Sequence, residues 1–308
     1  MNKYITVDSG TTNTRVSLVC GGKVTDCEKF NMGARACADD RELFEKTLSV
    51  AIKDVLLRNS LCEGDVEKIL ASGMITSEMG LCPLEHIKIP AGIKELKNSM
   101  KEVLFENIST VPFVFVRGVK KEGETFEEFD VMRGEESELM GSERGEGECV
   151  YMLMGSHSKI IKTDAEGKII DFCTMLTGEM GESVAKGTIL KNSLILGEEL
   201  DKEALKKGYE FCKENGMSQA FFKVRVLKNF MNKSDKEVYS FYMGALLCGE
   251  CEYILRKNPP SVVVGGNRHL KDALYILLCE YARSNVRKMT EEEVDFSTSA
   301  GLVKIYES

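Results

Sequence analysis

The chain lacks long hydrophobic runs and clusters of basic residues. No apolar stretch reaches the roughly 18 residues of a membrane-spanning helix, and the N-terminus has no apolar signal region. The 41 basic and 49 acidic residues give a net charge of −8, with basic residues only in short pairs, which argues against a nucleic-acid partner. We therefore expect a cytoplasmic protein that binds small molecules, without a membrane or nucleic-acid partner.

Several common metal and nucleotide signatures are also missing. The 11 cysteines are scattered, and the close pair Cys248 and Cys251 is accompanied by neither a second CxxC nor a histidine pair, which disfavours a zinc site. The run around this pair predicts one helix, so we expect both cysteines to be buried structural residues. Neither a Walker A loop nor GxGxxG occurs, which disfavours P-loop and dinucleotide-binding folds.

The chain does contain an internal repeat. Residues 4–26 and 151–171 each show an apolar run that starts at Tyr, a turn rich in Gly, Ser and Thr, a second apolar run, and a Gly that opens a third. This pattern predicts three antiparallel strands in each copy. Two domains are expected for 308 residues. We place their boundary in the segment GSERGEGE, and so predict domains over residues 1–146 and 147–308 with a ligand cleft between them.

Periodicity predicts the elements around these meanders. The spacing of Asp39 and Glu42 predicts a capping box at the start of an amphipathic helix that ends near Arg58. SVVVGG, residues 261–266, predicts a buried strand that delivers two glycines to a site. The same criteria assign a helix over 93–105, a core strand over 111–116 and helices over 200–257.

Polar turns end the first strand of each meander. DSGTTNTR, residues 8–15, supplies a carboxylate, a glycine, hydroxyls and a cation, and MGSHSK, residues 154–159, supplies a similar set. Turn N–H groups and hydroxyls can donate to phosphate oxygens, and Asp8 can hold a magnesium ion through water. A tight hairpin would explain either turn alone. Two such turns at equivalent positions favour the binding of one polyphosphate.

The segment VMRGEESELMG, residues 131–141, is the candidate for acceptor chemistry. Phosphoryl transfer to a hydroxyl needs a carboxylate to orient or deprotonate the acceptor and cations to offset phosphate charge. Arg133, Glu135 and Glu136 offer both. The alternative is a solvated helix N-terminus, where acidic residues complement the helix dipole.

Histidine is scarce, with 3 residues in the chain. His157 and Lys159 would contact the transferring phosphate if residues 154–159 bind it; otherwise they merely flank a strand. His86 and His269 have no comparable context and are expected to be structural.

Taken together, these motifs resemble a known family. The repeated meander with DSGTTNTR, MGSHSK and the late VVVGG is similar to the actin, hexokinase and heat-shock-protein ATPase superfamily. That likeness implies an α/β fold of two ribonuclease H-like domains with a central cleft. Within the superfamily, DSGTTNTR, SGM at Ser72, VMRGEES at Val131, MGSHSK and DFCTMLTGE at Asp171 resemble, in this order, the 2-dehydro-3-deoxygalactonokinase family.

The resemblance implies an activity and residue roles. The activity is ATP- and magnesium-dependent phosphorylation of the 6-hydroxyl of 2-dehydro-3-deoxy-D-galactonate, with sugar-binding elements in the N-terminal domain and an adenosine loop in the C-terminal one. Glu135 would be the acceptor-orienting base, Glu136 the second choice, and Arg133 could bind the sugar acid's carboxylate. The implied nucleotide-binding residues are Asp8 (also the metal ligand), Gly10, Thr11, Thr12, Asn13, Arg15, Gly155, Ser156, His157, Lys159, Gly265 and Gly266.

The chain also departs from the family pattern. Ser9 stands where Trp is usual, Cys173 stands where Arg is usual, and MGSHSK replaces PGTHCK. These changes leave the nucleotide motifs intact and the acceptor open. The alternatives are a kinase for another small sugar or sugar acid, and a nucleotide-clamping regulatory ATPase, which would need no acceptor base. Residues 200–257 could form either a homodimer surface or an internal core.

Overall fold

A computed structural model describes residues 2–308 and divides them into two compact units. The first contains the chain up to Arg144 together with Lys168–Asp171 and Glu292–Ser308, and the second contains Gly145–Gly167 and Phe172–Glu291. Each unit has its own sheet and its own hydrophobic core. Within residues 2–308, no helix combines the length and the apolar character that a membrane crossing requires.

The first unit is built on a six-stranded sheet of order β3-β2-β1-β4-β7-β6. The strands β1 to β3 form the predicted antiparallel meander, and β4 and β7 extend it in parallel. A smaller sheet has the order β5-β8-β9. The elements are β1 (Lys3–Ser9), β2 (Thr14–Cys20), β3 (Lys23–Phe30), α1 (Ala34–Asp39), α2 (Arg41–Arg58), β4 (Lys68–Gly73), β5 (Ile87–Lys88), α3 (Ile93–Asn98), β6 (Lys101–Val103), β7 (Phe113–Phe115), β8 (Val119–Lys121), β9 (Asp130–Met132) and α4 (Glu135–Gly141).

Alternation along β1 gives the first sheet two different faces. Ile5 and Val7 are fully buried in one hydrophobic cluster with Phe44 and other residues of α2. Thr6 and Asp8 point to the opposite face, because successive side chains of a strand alternate. One face of the sheet is therefore apolar and covered by α2, whereas the other carries polar side chains.

Two local predictions in the first unit were wrong. The N-cap of α2 is Asp40, whose side chain accepts a hydrogen bond from Leu43 N at 3.0 Å; Asp39 cannot cap because α1 continues through it. The predicted helix over 93–105 ends at Asn98, since Lys101–Val103 pairs with β7 as an edge strand. Tertiary pairing there overrides local periodicity.

The second unit repeats the topology of the first. Its sheet has the order β12-β11-β10-β13-β14, with β10 and β11 antiparallel and β13 parallel to β10. The predicted second meander, the buried strand SVVVGG and the α/β fold class are thus confirmed. The elements are β10 (Cys149–Met154), β11 (Ser158–Thr163), β12 (Ile169–Met175), α5 (Thr177–Gly187), α6 (Lys202–Asn215), α7 (Met217–Asn229), α8 (Asp235–Leu246), α9 (Cys248–Lys257), β13 (Ser261–Gly266), α10 (Arg268–Tyr281) and β14 (Asn285–Lys288).

Helices α6 to α9 fill the predicted helical stretch. Every residue of α8 from Val238 to Leu246 is buried, so its periodicity is explained by an internal core. The helix predicted through Cys248 is broken at Leu247, which separates α8 from α9. Cys248 and Cys251 are buried, as expected, at 7% and 0% exposure.

The last helix, α11 (Glu291–Glu307), lies almost entirely in the first unit. It packs on the polar face of the first sheet, where Thr6 Oγ1 donates to Ser299 Oγ at 2.8 Å. A Cβ atom on Gly301 would lie 1.9 Å from Ser137 O of α4, so the two helix backbones cross in direct contact. The prediction placed one boundary at residue 146, whereas in the structure residues 168–171 and 292–308 return to the first unit.

Gly301→Ala should destabilise the protein because the added methyl group has no room at this crossing. Overpacking of this kind costs about 1–3 kcal/mol, and we expect an unfolding free energy lower by that amount in urea titrations. Gly249→Ala is the matched control: it is also a helical glycine, but a Cβ atom there would meet nothing within 4 Å. That variant should be more stable by roughly 0.5–1 kcal/mol. Equal effects of the two substitutions would contradict a backbone crossing at Gly301.

Candidate functional site

The first predicted phosphate turn joins β1 to β2. The carbonyls of Gly10 and Thr11 accept hydrogen bonds from the N–H groups of Ala34 and Arg35, at 3.0 and 3.1 Å. These bonds fix the turn from behind, against the start of α1. The side chains of the predicted turn residues are exposed for Thr11 and Thr12 and half-buried for Asn13.

The second predicted turn, between β10 and β11, is held in the same way. The carbonyls of Gly155 and Ser156 accept hydrogen bonds from the N–H groups of Gly178 and Glu179 of α5, at 3.2 and 3.0 Å. His157 Nε2 lies 2.7 Å from Glu179 Oε2, and both side chains are more than half exposed. The two predicted turns are thus structurally equivalent, down to the helix that supports each of them.

A further pair of equivalent positions ends the fourth strand of each unit, β4 in the first and β13 in the second. Gly73 has a φ of +87° and is paired with Ser9, and Gly266 has a φ of +89° and is paired with Met154. A Cβ atom would lie 2.5 Å from Ser9 O in the first case and 2.1 Å from Met154 O in the second. Only glycine fits both the backbone conformation and this close approach. The internal repeat therefore extends over four strands and two loops in each unit.

Four polar residues form a row across the polar face of the first sheet. Asp8 is paired with Arg15 on one side and with Ser72 on the other, and Arg15 is paired with Lys29. Burial raises the pKa of Asp8, while Arg15 and Lys29 oppose that rise. Within residues 2–308 neither the Asp8 carboxylate nor the buried Ser72 hydroxyl has a hydrogen-bond partner. The Asp8 carboxylate and the Ser72 hydroxyl of this row are therefore able to bind a ligand.

The guanidinium of Arg15 is directed elsewhere. Its Nη2 lies 3.5 Å from Asp295 Oδ1 of α11, and its Nη1 donates to the Asp295 carbonyl. Arg15 was predicted to contact phosphate. Its side chain instead links the row to α11, and it influences the site through its charge.

The two acidic residues that begin α4 have different environments. Glu136 is fully buried, and both of its carboxylate oxygens accept from Gly134 N, at 3.0 and 2.8 Å. Glu135 is half-buried, and its Oε2 accepts from Arg133 N at 2.9 Å. The interpretation as a solvated helix N-terminus is therefore wrong for Glu136. Glu135 is the one of the two that solvent, and hence a substrate, can reach.

Gly73 brings the start of α4 close to Asp8. A Cβ atom on Gly73 would lie 3.5 Å from Asp8 Oδ1, and one on Gly134 would lie 3.2 Å from the Cα of Gly73. Glu138, which sequence reasoning missed, belongs to the same group: burial, then the charges of Glu135 and Asp8, raise its pKa to about 8. Its spacing of three residues from Glu135, which places both on one helix face, was the available signal.

Arg133 is engaged by backbone rather than free to bind a carboxylate. Its Nη1 donates to the carbonyl and the hydroxyl of Thr76, at 2.6 and 2.7 Å, and its Nη2 donates to Leu84 O at 3.0 Å. The same Nη2 lies 3.3 Å from His86 Nδ1. The guanidinium thus fixes the segment that follows β4, and the structural role of His86 stays a prediction. This geometry favours positioning over the predicted contact with the sugar acid.

In the second unit, Lys159 also differs from its predicted role. It is only 5% exposed, and its Nζ donates to Thr174 Oγ1 of β12 at 2.6 Å. The amine therefore lies within the sheet rather than at the surface of the turn. His157, by contrast, is exposed where a phosphate could meet it.

A cavity of about 540 Å³ adjoins the second turn. Gly155 and Ser156 form one wall, the start of α10 forms another, and the Tyr239 and His269 rings lie 6.4 Å apart in an edge-to-face arrangement. Gly265 and Gly266 do not line it; they allow the strand end to pack behind it. His269 is exposed there, and its backbone N–H donates to the side chain of Asn267, the α10 N-cap, at 3.1 Å.

The first unit contains a wider groove of about 1170 Å³, between α2 and residues 104–107. It includes none of the predicted site residues. Its lining carries acidic and basic side chains in comparable numbers, without a convergent polar group. We therefore assign the chemistry to the turns and to α4.

Magnesium and a nucleotide can both be tested against these residues. Among residues 2–308 no group of three or more His, Cys, Asp or Glu side chains could hold a metal ion. Mg²⁺ commonly takes only one or two protein carboxylates and completes its shell with water and phosphate oxygens. The Asp8 carboxylate and the unpartnered Ser72 hydroxyl fit that pattern. The cavity beside Gly155 has a volume suited to a small ligand.

Glu136→Gln should make the stability of the protein less dependent on pH. Burial, then the neighbouring Glu135, raise the pKa of Glu136 from 4.5 to about 8. The folded state then keeps a proton that the unfolded state releases, so this group lowers the unfolding free energy progressively between pH 4.5 and 8. The advantage of the Gln variant should grow over that window by at most about 1.4 kcal/mol per pH unit. If urea titrations give the same difference in unfolding free energy between wild type and Glu136→Gln across this pH window, Glu136 is ionised in the folded protein.

Comparison with known proteins agrees with this architecture. The chain is 23% identical over 272 residues to the 2-dehydro-3-deoxygalactonokinase of Escherichia coli K12, covering 85% of each protein. A solved candidate 2-dehydro-3-deoxygalactonokinase from Sinorhizobium meliloti superposes with a TM-score of 0.77 at 22% identity, covering 97% of this chain and 95% of that one. The activator of 2-hydroxyisocaproyl-CoA dehydratase from Clostridium difficile, solved with ADPNP, gives 0.55 at 12% identity, covering 99% and 95%.

These structural likenesses confirm the predicted actin-like ATPase fold. The family assignment comes from a sequence profile, that of 2-keto-3-deoxy-galactonokinase, which matches residues 8–305. The match includes both turns, the α4 acids and the late glycine pair. With nearly all of its length matched, the chain belongs to the 2-keto-3-deoxy-galactonokinase family.

Proposed function

We propose that the protein transfers the terminal phosphoryl group of ATP to the 6-hydroxyl of 2-dehydro-3-deoxy-D-galactonate. The observation that carries this proposal is the grouping of Asp8 and the accessible Glu135 around Gly73 at one end of the first sheet. Family membership supports the use of ATP and a sugar acid. A carboxylate for the acceptor and a carboxylate for the metal are what this reaction requires.

ATP binds at the turn of the second unit and in the cavity that adjoins this turn. The adenosine occupies the cavity beside Tyr239 and His269, where aromatic edges and apolar side chains can pack against a base. The hydroxyl of Ser156 in the second turn is exposed and can donate to phosphate oxygens, and the exposed hydroxyls of Thr11 and Thr12 give the first turn the same kind of donor. His157, held by Glu179, adds a donor at the second turn.

Asp8, with the Ser72 hydroxyl paired beside it, would hold magnesium. When bound, the ion offsets charge on the phosphates. Burial raises the pKa of Asp8, and a cation beside the carboxylate would favour its ionised form. Arg15 and Lys29 keep the site from being purely acidic.

Glu135 orients the acceptor hydroxyl and takes its proton as the phosphoryl group arrives, while ADP leaves. It is the better of the two predicted acids because Glu136 is buried and bonded to the backbone of Gly134. Arg133 contributes by fixing the segment from Thr76 to His86, which follows β4 next to Gly73. We infer that this segment, rather than the Arg133 guanidinium, contacts the sugar acid.

Glu135→Gln should lower kcat by about 100- to 10000-fold, the usual contribution of a general base. The dissociation constant of ATP, measured by calorimetry, should not change, since the substituted group contacts the acceptor. Glu136→Gln is the matched control and should keep most of its kcat. The reverse result, with Glu136→Gln inactive and Glu135→Gln active, would show that the acid has been assigned to the wrong residue.

The acceptor itself can be tested with a substrate panel. We would measure ADP release with ATP and Mg²⁺ in the presence of 2-dehydro-3-deoxy-D-galactonate, its gluconate epimer, glucose or N-acetylated hexosamines. Turnover confined to the deoxy sugar acids is expected, with the phosphate on O6. If turnover occurs only with another sugar, that sugar replaces 2-dehydro-3-deoxy-D-galactonate as the proposed acceptor. ATP binding without turnover on any of them would favour a nucleotide-clamping regulatory role.

A further inference from the structure

A buried carboxylate lies behind the second phosphate turn and has no place in the mechanism above. Glu250 of α9 is 3% exposed, and its Oε1 accepts a hydrogen bond from the hydroxyl of Thr177. Among residues 2–308 no cation forms an ion pair with it. Burying a carboxyl group is costly unless its hydrogen bonds are satisfied, so the bond to Thr177 is the reason that this group can be retained.

Thr177 begins α5 and directly precedes the residues that hold the turn. The next two N–H groups, those of Gly178 and Glu179, donate to the carbonyls of Gly155 and Ser156 at 3.2 and 3.0 Å. Thr177 is itself 1% exposed. Any shift of its side chain therefore moves both donors and the turn that they support.

The first unit has no equivalent of this bond. Its turn is held by the N–H groups of Ala34 and Arg35. The residues at the start of that helix, Gly33 and Ala34, have no side-chain donor, and no side-chain hydrogen bond caps α1. The connection from Glu250 is thus specific to the second turn, the one that adjoins the 540 Å³ cavity.

We propose that Glu250 is a positioning residue for nucleotide binding: through Thr177 it fixes the first turn of α5, and hence the loop of Gly155 and Ser156 that receives phosphate. The inference rests on the proposed use of ATP. A polar group must be placed to within about 0.5 Å to act on a ligand. A carboxyl group held rigidly in the core suits that purpose.

The test compares four variants by calorimetric titration with the non-hydrolysable ATP analogue ADPNP, and by kinetics. Glu250→Ala and Thr177→Val should each lower kcat/KM for ATP by about 10- to 100-fold, the cost of a misplacement near 1 Å. The KM for the sugar acid should stay unchanged. Glu250→Gln and Thr177→Ser keep an acceptor and a donor, and both should remain close to wild type. The double variant Glu250→Ala/Thr177→Val should be no worse than either single one, because the two residues act through one bond.

Glu252→Gln supplies the matched control on the same helix. Its carboxylate bonds to Tyr209 and Lys213 of α6, away from α5, so ADPNP affinity should not change. Unaltered ADPNP affinity in both Glu250→Ala and Thr177→Val, whatever their melting temperatures, would overturn the positioning role. If Glu250→Ala does not fold, the comparison of ADPNP affinity between Thr177→Val and Thr177→Ser tests the positioning role by itself.

The experiments distinguish failure of the Glu250 positioning role from failure of the proposed kinase function. A wild-type protein that binds ADPNP but phosphorylates no sugar acid would refute the kinase assignment. The binding comparison between the variants would still stand. A wild-type protein that binds no ADPNP would refute both.

Discussion

The close approach of backbone at the ends of the first and fourth strands determines most of this site. At Gly73 and Gly266 the chain turns with positive φ directly against the carbonyl of the residue that ends the first strand. A side chain at either position would separate the two strand ends. In the first unit the same contact brings Asp8 and the start of α4 together, and in the second it places the α10 N-terminus beside the phosphate turn. The geometry of the candidate site thus follows from the packing of backbone at these two glycines.

Local pattern was sufficient for the repeat but not for the roles of single residues. The two meanders and SVVVGG were predictable because alternation and glycine placement are properties of neighbouring residues. The bonds of Arg133 to Thr76 and of Lys159 to Thr174 were not predictable, because these partners lie 57 and 15 residues away along the chain. The return of α11 to the first unit depends on contacts such as that of Thr6 with Ser299, nearly 300 residues apart. Sequence spacing carries no signal of such contacts.

The acidic residues of the site divide by burial into two kinds. Glu136 and Glu250 are buried, and their oxygens accept hydrogen bonds that fix the start of a helix. Glu135 and Glu138 are partly accessible, and the charge of Glu135 contributes, after burial, to the raised pKa of Glu138. Buried carboxyl groups maintain geometry because moving them would break their only hydrogen bonds. Accessible ones can exchange protons with a substrate.

Several acidic residues lie where the proposed mechanism places a negatively charged phosphate, and this arrangement needs an explanation. Burial is the largest cause of the raised pKa of Glu138, and the negative charges of Glu135 and Asp8 add to it. A divalent cation held at Asp8 would remove much of the repulsion between these charges, so the site is better suited to the metal–nucleotide complex than to the free nucleotide. The adjacent Glu135 would then become a stronger orienting group only when nucleotide is present. On the proposed mechanism, metal binding at Asp8 would in this way prepare Glu135 for the acceptor.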